Sequence, residues 1–312
     1  MNPFLYSINA TLPIFLIILL GKILQKMGIL TEGFTKSADS FVFYVALPVL
    51  LFQDLTVVSP GKGMNISFLF FCFFATLIFI LVVWVGTELL MKKEEEKGAF
   101  IQASYRSSAA LLGMAFIHNM YGNAGSSSFM ILGAVPLFNI FAVIILTLKG
   151  KGDETPNIKG TLKQIATNPI LIAIVLGLIF SFLPFHLPVF AQKGLTMIGN
   201  TATPLALLSI GASFQGTAAI QKIKPTLLAT LIKLVGISAV CMPIAILLGF
   251  RNQELVATLI MCASPTTVSS YIMAAKTNND KVLTASTIVL TTLLSSVTLT
   301  LWIFFLKTQN FI

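Results

Sequence analysis

Apolar residues dominate ten stretches of the chain, near 5–27, 36–55, 65–90, 98–120, 126–148, 164–183, 189–213, 224–249, 252–275 and 281–306. Each is closed by charges, by Gly, Pro or Asn, or by both. Ile66–Thr87 contains no charged residue at all. At 1.5 Å per residue, a helix of about 20 residues crosses a hydrocarbon core of roughly 30 Å. The pattern predicts an all-α integral membrane protein of ten transmembrane helices, with no room for a separate soluble domain.

The ten stretches fall into two related fives. Shifting the chain by 156 positions lays Pro13, Ile14, Ile18, Leu20, Gly21 and Ile23 of "LPIFLIILLGKIL" on Pro169, Ile170, Ile174, Leu176, Gly177 and Ile179 of "NPILIAIVLGLIF". The same shift carries Ala46 and Pro48 of "VALPVLL" onto Ala202 and Pro204 of "ATPLALL". The longest polar connection, "KGKGDETPNIKG", separates helices five and six. An odd number of spans per half turns the second copy upside down. The expectation is a 5+5 inverted repeat: residues 1–149, a linker over 150–163, and residues 164–312. This construction is typical of secondary transporters.

Charge fixes the orientation. Counted by alternate connections, fourteen lysines fall on one side, among them Lys22, Lys92, Lys149 and Lys222. Only Lys62, Arg251 and Lys307 fall on the other. The positive-inside rule places the fourteen in the cytoplasm, the linker with them, and both termini outside the cell membrane. The net charge of +9 is therefore topological and argues for no nucleic-acid partner. With 56% apolar and 10% charged residues, the partner is the lipid bilayer. The N-terminus is apolar with no Lys or Arg before Lys22, so no cleaved signal peptide is expected. Cys72, Cys241 and Cys262 all lie in apolar stretches without paired spacing, which predicts neither disulfide nor metal site. No HExxH, GxSxG or P-loop occurs, and no cofactor or enzymatic activity is expected.

Helices four and nine are the polar ones, with "QASYRSSAALLG" and "MCASPTTVSSY". A shift of 160 lays Ala103-Ser104 on Ala263-Ser264, so the patches are related by the repeat. Pro265 removes a backbone donor and clashes with the preceding turn. The freed carbonyls need hydroxyls, water or ligand, and Ser264, Thr266, Thr267 and Ser269 are placed to serve. A helix resuming after such a break turns partly positive N–H groups inward, where an anion is held.

Arg106 lies eight residues into helix four, about 12 Å deep. A guanidinium there must face protein or water, and its fork suits a carboxylate. All eleven acids lie in loops or toward span ends, so none is expected beside it in mid-membrane. Lys233 is similarly deep but in a plain apolar context. Asp54, Glu88, Glu254 and His118 fit solvated helix ends as well as proton relays. The prolines of "ALPVLLF" and "ATPLALL" fit structural kinks.

"LPIFLIILLGKILQKMGIL", "FVFYVALPVLLF", "NPILIAIVLGLIF" and "NTATPLALLSIGASF" resemble the auxin efflux carrier family, over essentially the whole chain. That family includes plant PIN carriers and bacterial malate- and malonate-type permeases, and the short linker is similar to the bacterial branch. The resemblance implies a fold with crossed, broken helices 4 and 9, the plan shared with bile-acid symporters and NhaA-like carriers. Helices 1, 2, 6 and 7 would form a scaffold that dimerises, and helices 3–5 and 8–10 a transport domain moving as an elevator. It further implies that small organic anions bind at Arg106, Ser107, Ser108, Asn139, Ser264, Pro265, Thr266 and Thr267. Two departures bear on the sharpness of the first break: Ser108 stands where the family commonly has Asn, and Ala115 where it has Pro. A sodium-coupled symporter of the bile-acid type and a non-transporting anion sensor are the alternative readings.

Overall fold

The computed structural model describes residues 3–56, 65–121, 126–150, 158–183, 187–214 and 216–312, and all regular structure among them is helical. Lys62, Lys151 and linker residues 151–157 lie outside the described residues. Helix occupies all ten expected stretches. In the first five these are α1 (Pro3–Lys26); α2 (Glu32–Phe41), a π-helical turn at Val42–Ala46 and α3 (Leu47–Thr56); α4 (Ile66–Leu90); α5 (Glu94–Tyr105) and α6 (Ala109–Tyr121); and α7 (Ser127–Lys149). The sixth and seventh are α8 (Ile158–Ala166) with α9 (Pro169–Phe182), and α10 (Val189–Gly199) with α11 (Ala202–Ser213). After the short α12 (Gly216–Gln221) come α13 (Ile223–Leu231), a π-helical turn at Ile232–Gly236 and α14 (Ile237–Leu247). The last two are α15 (Gln253–Ala263) with α16 (Ser269–Lys276), and α17 (Lys281–Thr308).

Among the described residues six helical runs are long and apolar enough to cross a membrane, and a seventh if α8 and α9, bent by 51° at their junction, count as one. The second half of the expected linker is thus helical. Asn168 precedes a proline, which disfavours helix at that residue, and its side chain caps α9 by accepting from Ile170 N–H at 2.9 Å.

Burial is inverted relative to a protein in water. On α4, Phe68, Cys72, Thr76, Phe79, Ile80 and Val83 are buried, while Phe70, Phe74, Ile78, Val82, Val85 and Leu89 are exposed. Contiguous apolar surface of that extent needs lipid to cover it. The polar side chains turn inward, and Thr76, Gln102, Ser104 and Lys233 are fully buried. The turn at Val42–Ala46 precedes Pro48. Proline cannot donate to the carbonyl four residues earlier, and the wider π turn absorbs the mismatch.

Small residues set two close helix pairs. A Cβ on Gly211 would strike the backbone carbonyl of Ile18, and one on Gly21 that of Leu208, so α1 and α11 lie backbone to backbone. A Cβ on Gly177 of α9 would come within 3.1 Å of Phe52 O and 3.0 Å of Leu55 Cβ on α3. Close approach of this kind is how membrane helices gain dispersion contact without a hydrophobic driving force. Elsewhere α4 and α5 pack on α7, α14 on α15, and α17 on α5 and α13.

One end of the bundle is tied by ion pairs. Lys97 meets Glu88 at 3.0 Å and Glu94 at 2.5 Å, and Lys149 meets Glu88 at 2.6 Å. Lys222 bridges Glu96 of α5 at 2.6 Å and Asp280 before α17 at 2.9 Å. Burial opposes the charge of Lys222, but its hydrogen bonds to Glu96 and Asp280 outweigh burial and raise its pKa. Glu88, expected as a solvated end, is instead an ion-pair hub.

Candidate functional site

The two broken helices meet at their breaks. α5 stops at Tyr105, α6 resumes at Ala109, and the Ser108 N–H between them donates to Pro265 O at 3.0 Å in the gap between α15 and α16. A helix end leaves carbonyls without partners, and each break supplies them to the other. Thr266 Oγ1 donates to Ala103 O at 2.7 Å. Ser107 Oγ donates to Met261 O at 2.5 Å. Thr266 N–H is taken by Thr291 Oγ1 of α17 at 3.1 Å. The first break therefore forms without the Asn and Pro common in the resembled family.

Lys233 completes the arrangement. It sits, with no exposed surface, on the π-helical turn of the eighth stretch. Its Nζ donates to Cys262 O at 2.6 Å and to Ser107 Oγ at 2.5 Å. Its apolar sequence neighbours concealed this role, since both partners are remote in sequence.

Arg106 occupies the first break in extended conformation and is 2% exposed. Its Nη2 donates to Asn139 Oδ1 of α7, and its Nη1 to Met273 Sδ of α16 at 2.6 Å. With the Gln102 amide turned to satisfy both its ends, its oxygen accepts from Nη1 at 3.1 Å and its nitrogen donates to Ser270 O at 3.2 Å. These partners are all neutral, and no ion pair joins Arg106 to an acid among the described residues. Its charge is held in place without being cancelled.

Beside the crossing lies a cavity of about 470 Å³. One wall carries Arg106, Ser107, Ser108, Asn139, Pro265, Thr266 and Thr267, seven of the eight residues singled out from the sequence. Ser264 is buried outside it, its hydroxyl without a hydrogen-bond partner. Ala109 and Ala110 begin α6, and Val268 and Ser269 lead into α16, so the first turns of both resumed helices border the cavity. Their N–H groups add partial positive charge there. Further lining comes from Ile14 of α1, from Leu47, Leu50, Leu51 and Asp54 of α3, and from Asn200, Ala202, Thr203 and Ala206 at the α10–α11 junction.

Asp54 shares the lining of this cavity with Arg106 but forms no ion pair with it. It looks like a helix end by position, but positions 47, 50, 51 and 54 form one helical stripe facing the cavity. That spacing was the available signal. Asn200 and Thr203 were not singled out from the sequence, yet both line the cavity at the α10–α11 junction. Of the other end-of-span groups, Glu254 accepts from Asn65 Nδ2 at 2.6 Å and His118 is exposed.

Among known proteins, residues 6–303 match the model of a family described as membrane transport protein. An uncharacterized transporter of Methanocaldococcus jannaschii is 25% identical over 302 residues, which cover 94% of this chain and 97% of that one. An uncharacterized transporter of Methanothermobacter thermautotrophicus is 22% identical, covering 96% and 98%. A Rhizobium meliloti protein assigned provisionally to malonate transport is 25% identical, covering 93% and 92%.

Proposed function

Because the chain belongs to the membrane transport protein family, that of the auxin efflux carriers, we propose that it is a secondary transporter of small organic anions in the cell membrane. The substrates are mono- or dicarboxylates such as malonate or malate, or auxin-like weak acids. The observation that carries this reading is Arg106, a cation held only by neutral groups at the crossing of two broken helices and bordering a cavity. A carboxylate accepts two parallel N–H bonds from a guanidinium, and the hydroxyls of Ser108 and Thr267 complete its coordination beside Asn139 and Pro265, while those of Ser107 and Thr266 hold the breaks together and Ser264 backs them from outside the cavity. The provisional malonate assignment of one relative points the same way.

The transport cycle we infer is an elevator. Ten spans form two inverted fives, 1–149 and 164–312, joined in the cytoplasm, with both termini outside. Helices 1, 2, 6 and 7 form a dimerising scaffold, and helices 3–5 and 8–10 the moving body. Support comes from packing: the 156-residue shift turns the α1–α11 pair into the α9–α3 pair, each built on a glycine, Gly21 or Gly177. The same shift sets the π turn before Pro48 against the break before Pro204. The cavity lies between the two bodies so defined.

Arg106→Ala should lower malonate uptake into proteoliposomes. Hydrogen bonds to a charged group contribute about 1.5–3 kcal/mol, which is roughly 10- to 100-fold. Arg106→Lys, which keeps the charge but loses the fork, should fall between. Thermal unfolding in detergent checks that each variant is folded, and undiminished flux in folded Arg106→Ala removes Arg106 from the site.

A further inference from the structure

The cavity holds a second ionisable group besides Arg106, contributed by a different helix. Asp54 closes the stripe of Leu47, Leu50 and Leu51 on α3, partly exposed into the cavity. No hydrogen bond or ion pair reaches its carboxyl from the described residues. The charged and titratable groups around it are few. Arg106 lines the cavity but makes no ion pair with it, and Lys233 lies behind the crossing on Ser107 and Cys262. Of the helices packed on α3, α9 carries no titratable side chain, α10 carries only Lys193, which is exposed, and α7 only Lys149, which is committed to Glu88. The π turn before α3 adds Tyr44, also exposed.

A carboxylate in such a place is tolerable while water fills the cavity. When a substrate carboxylate displaces that water, Asp54 loses hydration and gains a like charge nearby, and both effects favour its protonated form. We propose that Asp54 takes up one proton when the cavity takes up a carboxylate, which makes it the coupling site of a proton–anion symport. This rests on the anion reading of the cavity. A cationic substrate group is the other way to answer Asp54, but an ammonium brings three donors that need acceptors, and besides Asp54 the lining from α3 and the α10–α11 junction offers only Asn200 and Thr203 among leucines and alanines. A proton adds a single O–H donor, which the substrate carboxylate can accept.

The test is calorimetry of malonate binding to the purified protein, in buffers of different ionisation enthalpy and over pH values at which malonate stays fully ionised. About one proton should enter per malonate bound, and affinity should fall with rising pH, by up to about tenfold per unit. Asp54→Asn should abolish both the proton uptake and the pH slope, and Asp54→Glu, which retains a carboxyl, should restore them. The proposal is overturned if the wild-type protein takes up no proton, or if folded Asp54→Asn still takes one up, as it would if His118, or Asp39, which is buried on α2 and accepts from Ser209, were the site. It is equally overturned if β-alanine, malonate's counterpart with an ammonium, binds better than malonate without proton uptake. If neither malonate nor any of a panel of monocarboxylates binds, the anion reading itself fails and carries this inference down with it. That failure is distinguishable because it appears in the binding heat and not in the proton count.

Discussion

Lys233 spends its hydrogen atoms on two groups that the helix breaks leave needy, Cys262 O and Ser107 Oγ. Lys233→Met keeps the length and apolar stem but removes every donor. Ser107 Oγ keeps its bond to Met261 O, but Cys262 O loses its donor. An unsatisfied buried polar group costs about 1–3 kcal/mol, so the variant should lose about that much stability in detergent, read from the shift of its unfolding transition. An unshifted transition would show that water replaces the ammonium at no cost. Residue chemistry was unevenly legible in the sequence. Arg106 stood out because serines and a repeat-related partner surrounded it. Lys233 was equally visible as a charge, but its meaning depends on partners 126 and 29 positions away. Asp54 was placed rightly toward a span end, but its cavity-facing side of the helix was not weighed.

Among the elements, glycine positions decide how near α1 and α11 lie. Gly211→Ala puts a methyl against the Ile18 carbonyl, and backbone cannot swing aside as a side chain can. Overpacking of this kind costs about 1–3 kcal/mol. Gly194→Ala on α10 meets nothing within 4 Å and should cost nothing, or gain up to about 1 kcal/mol from helix propensity. Equal unfolding midpoints for the two variants would show that the helices part freely. Element positions were readable from apolar run length, and the break at Pro265 from proline chemistry. The break at residues 106–108 was not readable from local backbone chemistry, since neither Gly nor Pro lies there, and only the family resemblance implied it. It exists because Pro265 O draws off the Ser108 N–H and Thr266 supplies Ala103 O. The junction at Ile158–Ala166 was hidden by its lysines, which a surface helix and a loop share.

For the molecule as a whole, the elevator reading requires the ninth helix to slide past the second. In the structure they are latched: Lys276 of α16 donates to Ser40 Oγ of α2 and lies 5.9 Å from the Tyr44 ring centre. Joining Ser40→Cys to Lys276→Cys with a bifunctional thiol reagent should stop malonate uptake, spare malonate binding, and be undone by cleaving the link. Full uptake in quantitatively linked protein would exclude the sliding motion. The native cysteines are buried and should contribute little background. The twofold plan was legible in the sequence at an offset of 156, because prolines and glycines mark backbone geometry that Leu and Ile cannot imitate. The pairing of breaks has a further consequence, in biosynthesis. Residues 1–149 leave the ribosome before Met261, Pro265 and Thr266 are made. Until the ninth helix arrives, the nascent first half holds the Ser107 hydroxyl, the Ser108 amide and the Ala103 carbonyl without their final partners. Assembly of the crossing therefore waits on the last fifth of the chain, and the insertion machinery must shelter those groups until then.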